Sequence, residues 1–153
     1  MIKIGIFGFG RIGRCISRQI LQDENLQLEF IFDSNPSIEN VAYLFKYDST
    51  YGALDVDIKI ENNKINLNQA CFTYYLKSEF ENIPFEDVDI VIDATGSEML
   101  SQLLTKSLTN SKIKIIQTNS SDQFSKKIIM GVNEHILNHD QDRKICSSTC
   151  DAN

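Results

Sequence analysis

The sequence predicts a doubly wound α/β domain, with a mostly parallel sheet, helices on both faces and a small antiparallel insertion. Three observations predict it. Short β-branched runs alternate with stretches of helical apolar spacing along most of the chain. Two of the runs, Ile90-Val91-Ile92 and residues 113–116, are almost wholly apolar, as suits strands covered on both faces. The first run ends in a glycine-rich turn that leads directly into a helical pattern.

Taken in order, residues 2–7 form a strand, and residues 11–21 carry Ile12, Cys15, Ile16 and Ile20 at helical spacing. Residues 28–32 are a second strand closed by Asp33. The turn Ser34-Asn35-Pro36 then starts a helix whose apolar positions are Val41, Leu44 and Phe45. Between residues 54 and 76 the period changes. Val56, Ile58 and Ile60 alternate with Asp57 and Lys59, and Asn62-Asn63 separates them from Ile65 and Leu67, which predicts the antiparallel insertion. Residues 88–92 are the next strand, ended by Asp93-Ala94-Thr95-Gly96, and residues 99–108 the next helix. Strands follow at 113–116, 127–132 and 144–146, with a short helix at 133–137. No repeat, low-complexity tract or linker interrupts this order, so residues 1–153 read as one domain.

Composition agrees with one domain. The chain has 153 residues, 42% of them hydrophobic, which is enough for one core. Its 21 acidic and 15 basic side chains give a net charge of −6, which argues against a nucleic-acid or anionic-membrane surface. No apolar run is long enough to span a bilayer, and the apolar start is broken by Arg11 and Arg14. A cytoplasmic protein is therefore expected. The four cysteines, Cys15, Cys71, Cys146 and Cys150, are too scattered for a disulfide framework. Cys15, on the inner face of the first helix, Cys71 and Cys146 read as packing residues.

The residues with the clearest chemistry are Gly8-Phe9-Gly10-Arg11-Ile12-Gly13, a G-x-G-x-x-G turn between strand and helix. The first glycine permits the tight turn. The second lets the backbone approach a pyrophosphate, and the third lets the helix pack against the strand. A phosphate there would accept N–H bonds from an uncapped helix end and meet the positive end of the helix dipole. Asp33, closing the second strand, stands where a carboxylate accepts hydrogen bonds from ribose hydroxyls. Its charge would repel a 2′-phosphate, and no arginine adjoins it in sequence, so NAD is expected over NADP. This is the sequence pattern of a Rossmann sheet.

With those residues in hand, the chain resembles the NAD-binding half of glyceraldehyde-3-phosphate dehydrogenase. Residues 3–6 leading into Gly8-Phe9-Gly10-Arg11-Ile12-Gly13-Arg14 are similar to the family's opening signature. Tyr47-Asp48-Ser49-Thr50-Tyr51-Gly52 is similar to its YDSTHG segment, residues 88–96 to its strand ending in S/A-T-G, and Met130-Gly131-Val132-Asn133 to its MGVN segment. The resemblance implies oxidation of a phosphorylated aldehyde by NAD and inorganic phosphate through a cysteine thioester. It assigns Gly8, Gly10, Arg11 and Ile12 to the pyrophosphate and adjoining cofactor, Asp33 to the ribose, and Thr95, Gly96 and Thr118 to the nicotinamide half. It makes Cys150 the nucleophile, a role that suits sulfur when a neighbouring group lowers the thiol pKa.

The sequence also departs from that pattern. Phe7 stands where the family has asparagine, and Thr118-Asn119-Ser120-Ser121-Asp122 stands for S-A-P-S/A-K. Ser78 stands for an arginine near the adenine, with Lys77 one place earlier. Asp151, beside Cys150, replaces a phosphate-binding threonine, and a carboxylate there opposes both phosphate binding and thiolate formation. The family's activating histidine and phosphate sites belong to a second domain, so residues 1–153 alone are expected not to complete the reaction. His135 and His139 read as a solvated pair rather than that histidine or a metal site. Three functions remain open: the cofactor domain of a dehydrogenase, a stand-alone NAD-binding pseudoenzyme or regulator, and a thiol sensor or interaction protein. A homo-oligomer is compatible with each.

Overall fold

In the computed structural model, residues 1–68, 70–119, 124 and 126–147 are described. Strand β1 (Ile2–Phe7) is followed by α1 (Arg11–Ile20), β2 (Leu26–Asp33) and α2 (Ile38–Lys46). Next come β3 (Tyr47–Asp48), β4 (Gly52–Ala53), β5 (Ile58–Glu61), β6 (Lys64–Leu67) and β7 (Ala70–Leu76). Two short 3-10 turns lead into β8 (Ile90–Asp93), α3 (Glu98–Ser107), β9 (Lys114–Gln117), β10 (Lys126–Ile128) and β11 (Lys144–Ser147).

The described residues form a nine-stranded sheet in the order β10-β11-β9-β8-β1-β2-β7-β6-β5, and a separate two-stranded ribbon, β3-β4. From β10 to β7 every pairing is parallel, whereas β6 runs antiparallel to both β7 and β5. The chain leaves β1 toward β2 and later returns on its other side as β8. That reversal is the topological switch point at which doubly wound sheets bind ligands.

Alternation along the central strands divides the core into two layers. Ile4, Ile6, Leu28 and Ile31 pack with Val41, Phe45, Ile65 and Phe72 under α1 and α2. Phe7, Phe30 and Phe32 face the other way, with Phe80, Val91, Leu104 and Ile115. Phe7 sits 4.5 Å from Phe32 and 6.0 Å from Phe85 between ring centroids. In place of the family's polar side chain, this position therefore holds a buried aromatic that packs against α3's side of the sheet.

The doubly wound, mostly parallel architecture with a small antiparallel segment is the one expected, and three details differ from the sequence reading. The antiparallel segment is β5, β6 and β7, and it is continuous with the main sheet because β7 also pairs parallel with β2. A strand expected over 127–132 is confined to Lys126–Ile128, and Met130 and Val132 lie exposed beyond it. Cys71 is exposed and Cys15 only half-buried, so neither is a core residue, whereas Cys146 is fully buried. On α1 the buried positions include Ser17 and Arg18, which the apolar spacing did not mark. They are accommodated because each is hydrogen-bonded. Ser17 Oγ donates to the Gly13 carbonyl, and the Arg18 guanidinium donates to the carbonyls of Phe45, Lys46 and Gly52.

Candidate functional site

The site begins at the turn between β1 and α1. Gly8 has φ +88°, and a Cβ there would lie 2.8 Å from the backbone of Ala94 on β8's following loop. Its amide donates to Phe32 O at 2.7 Å, so the turn is wedged between the ends of the two strands flanking β1. Gly13 is constrained differently: a Cβ there would strike the Gly8 carbonyl oxygen. Around Gly10, by contrast, the corresponding space is open to 4 Å. Two glycines close the packing and the middle one leaves room for a ligand.

Helix α1 starts at this opening with no side-chain cap and no acidic residue in its first turn. Its leading N–H groups and dipole are therefore available to an anion. Arg11 and Ile12 are exposed at that end. Phe9 is buried against Phe45, with its ring stacked at 5.8 Å, so its part in the turn is played by its backbone.

Asp33 ends β2 beside the turn. One carboxylate oxygen accepts the Phe9 amide at 2.6 Å and the other accepts the Asn35 amide at 2.9 Å. Two oxygens carry about four lone-pair sites, so acceptor capacity remains for hydroxyl groups. The loop after Asp33 is held from below by Tyr74, whose hydroxyl donates to Asn35 O at 2.7 Å. Burial, then the carboxylates of Asp33 and Glu79, push the Tyr74 phenol above its ordinary value, so it persists as a donor.

A cleft of about 290 Å³ joins these parts. Gly8 and Gly10 line it together with Asp33, Ser34 and Lys77, and with Thr95, Ser97 and Leu100 from the loop and first turn after β8. The cleft thus gathers Gly8, Gly10, Asp33 and Thr95 from the expected set. Gly96 and Thr118 lie outside its lining, with Gly96 at φ +63° and the Thr118 amide bonded to Asp93 O. Cys150 and Asp151 fall outside the described residues. Lys77, Ser34 and Ser97 were missed as lining residues. Lys77 carried a signal, since it adjoins the position the resemblance marked, and the structure brings it rather than Ser78 to the cleft.

Size does not pick out this cleft. A cavity of about 700 Å³ opens at the start of β1 and β2, among Met1, Ile20, Leu26 and Leu28. The smaller one combines an open helix N-terminus, a carboxylate and a cation, groups able to bond a nucleotide, and it lies at the switch point. Among the described residues no three metal-ligating side chains gather, and no helix is long and apolar enough to cross a membrane.

An uncapped helix behind G-x-G-x-x-G, with an acidic residue ending the next strand, defines a dinucleotide-binding domain. Comparison with known proteins gives the family. A model described as the NAD-binding domain of glyceraldehyde 3-phosphate dehydrogenase matches residues 2–101, and the chain belongs to that family, whose cofactor is NAD. Glyceraldehyde-3-phosphate dehydrogenase 2 of Nostoc sp. is 32% identical over 157 aligned positions, covering 100% of this chain and 47% of the relative. The Geobacillus stearothermophilus enzyme is 29% identical, covering 99% of this chain and 46% of its own length. Glyceraldehyde-3-phosphate dehydrogenase 1 of Kluyveromyces lactis is 31% identical, with 98% and 46% covered. The chain spans less than half the length of each of these relatives.

Proposed function

We propose that residues 1–153 are the single cofactor domain of an NAD-dependent, phosphorylating aldehyde dehydrogenase that acts with a second domain not contained in this sequence. The observation that carries the reading is the Asp33 carboxylate bonded to the glycine turn across the mouth of an uncapped helix. NAD, when bound, supplies the hydride acceptor. In this reading Gly8, Gly10, Arg11 and Ile12 border the pyrophosphate, with Phe9 contributing through its backbone and Gly13 through packing. Asp33 orients the adenosine ribose. Thr95, Gly96 and Thr118 serve the remainder of the dinucleotide, and Cys150 is the nucleophile toward a small phosphorylated aldehyde.

In this reading the residues of this chain bind the cofactor, and the activating base and phosphate pockets belong to the second domain. Calorimetric titration with NAD tests the first half: saturable binding below millimolar concentration is expected, and its absence overturns the reading. The second half is tested by mixing the chain with NAD, glyceraldehyde 3-phosphate and inorganic phosphate. No NADH absorbance should develop, and steady production would refute dependence on a second domain.

Asp151 favours a second reading, an NAD-binding pseudoenzyme or regulator, because a carboxylate next to Cys150 opposes thiolate formation. Rapid labelling of Cys150 by iodoacetamide near neutral pH would count against it.

A further inference from the structure

Asp93, Ser101 and Gln117 are polar side chains in the interior of the sheet, 1%, 1% and 2% exposed. None belongs to the cleft lining, yet they form one chain of hydrogen bonds that ends on it. Asp93 closes β8. Its Oδ1 accepts from both the amide and the hydroxyl of Thr95, at 3.0 and 2.7 Å. Its Oδ2 accepts the hydroxyl of Ser101, one turn into α3. Ser101 Oγ in turn accepts from Gln117 Nε2 at 3.1 Å, at the end of β9.

The chain continues into the cleft wall. Thr95 Oγ1, already donating to Asp93, accepts the Ser97 amide at 3.1 Å, and Ser97 Oγ accepts the Leu100 amide at the start of α3. It also reaches the neighbouring strand ends, because Ser147 Oγ on β11 donates to the carbonyls of Gln117 and Thr118. A buried carboxylate that accepts three donors holds each of them in one geometry, since releasing any leaves charge unsolvated. Stability alone would be served as well by apolar side chains filling the same space.

We propose that Asp93, Ser101 and Gln117 are positioning residues, which set the loop from Thr95 to Ser97 and so shape one wall of the cofactor cleft. The proposal rests on the NAD-binding reading of that cleft. Asp93 acts directly on Thr95, and Ser101 fixes which way the carboxylate faces. Gln117 keeps the Ser101 hydroxyl pointed at Asp93 by supplying its other partner. The three touch no ligand themselves.

The test uses the whole chain with Ser101→Ala and Asp93→Asn, each measured in two ways. Amide exchange is expected to accelerate at Thr95 and Ser97 by about tenfold or more while Val91 and Ile92 within β8 stay protected. NAD affinity is expected to fall about fivefold, and this loss should shrink when Thr95→Val is already present, because only the amide of residue 95 then remains for Asp93 to hold. A lower melting temperature with NAD affinity unchanged would make the network merely structural and overturn the proposal. So would equal losses with and without Thr95→Val. If Asp93→Asn does not fold, Ser101→Ala decides alone. Should the wild-type chain fail to bind NAD, the functional reading falls, while unaltered exchange at Thr95 and Ser97 is what would sink the positioning claim.

Discussion

The carboxylate of Asp33 accepts the backbone amide of Phe9 at 2.6 Å, joining the end of β2 to the middle of the glycine turn. The same group is therefore both a structural clasp and the acceptor expected to meet ribose hydroxyls. Removing it should have two separable effects. Asp33→Ala leaves the Phe9 amide without its partner, at a cost of about 1 kcal/mol in stability. It should also weaken NAD and raise the NADP-to-NAD affinity ratio, since the carboxylate no longer repels a 2′-phosphate and Lys77 remains in the cleft. Parallel titrations with the two cofactors check this, and an unchanged ratio removes Asp33 from the ribose site.

The three glycines of the turn should respond differently to an added side chain. Gly10→Val faces open space and should keep the fold while filling the approach to the pyrophosphate, lowering NAD affinity at least about thirtyfold, or roughly 2 kcal/mol. Gly13→Ala drives a methyl into the Gly8 carbonyl and should cost about 2 kcal/mol of stability before any ligand is added. Urea unfolding followed by titration separates the two. A Gly10→Val protein that binds NAD normally would refute the cradle.

Much of this was legible in the chain itself. β1, α1, β2, α2, β8 and α3 follow from local periodicity, and the glycine turn with Asp33 marks the cleft in the sequence alone. What was not legible depends on distant partners. Alternating residues in β7 announce a half-buried strand but not that Phe30 to Asp33 would pair with it in parallel. Lys77 and Ser97 reach the cleft only because β7 and β8 end on the same rim. Apolar spacing on α1 could not reveal that Arg18 is buried, because its acceptors, up to Gly52, lie well outside the helix.

Arg18 is accordingly a strong point of the fold. Its guanidinium satisfies Phe45 O and Lys46 O at the end of α2 and Gly52 O on β4, at 3.2, 3.0 and 2.8 Å. Arg18→Met keeps much of the packing volume but orphans these acceptors. A loss of about 3 kcal/mol is expected by chemical denaturation. A loss under 1 kcal/mol would mean that water replaces the side chain.

Asp48 gives the fold a pH dependence. The amides of Tyr51 and Thr50 hold its carboxyl below the ordinary value, with smaller help from Arg14. A carboxyl depressed in the folded chain contributes stability above its unfolded value of about 3.9, and that contribution is lost as pH falls through the folded value. The stability gap between wild type and Asp48→Asn should thus be full at neutral pH and close below about pH 4. Urea midpoints measured from pH 7 down to 3 would show it, and a gap independent of pH would remove the ionised carboxylate as its source.

The position of β1 also governs how the chain can be made. Its two neighbours are residues 26–32 and 90–93, one arriving early and the other late as the polypeptide emerges. A nascent chain can therefore lay β2 against β1 soon after the second strand is synthesised. The opposite edge, with Ile4, Ile6 and Phe7 beside it, stays bare until β8 follows. A ribosome pausing before Ile90 would hold a sticky, half-built sheet, so this first strand, though made first, waits to be sealed until the six strands after it have been made.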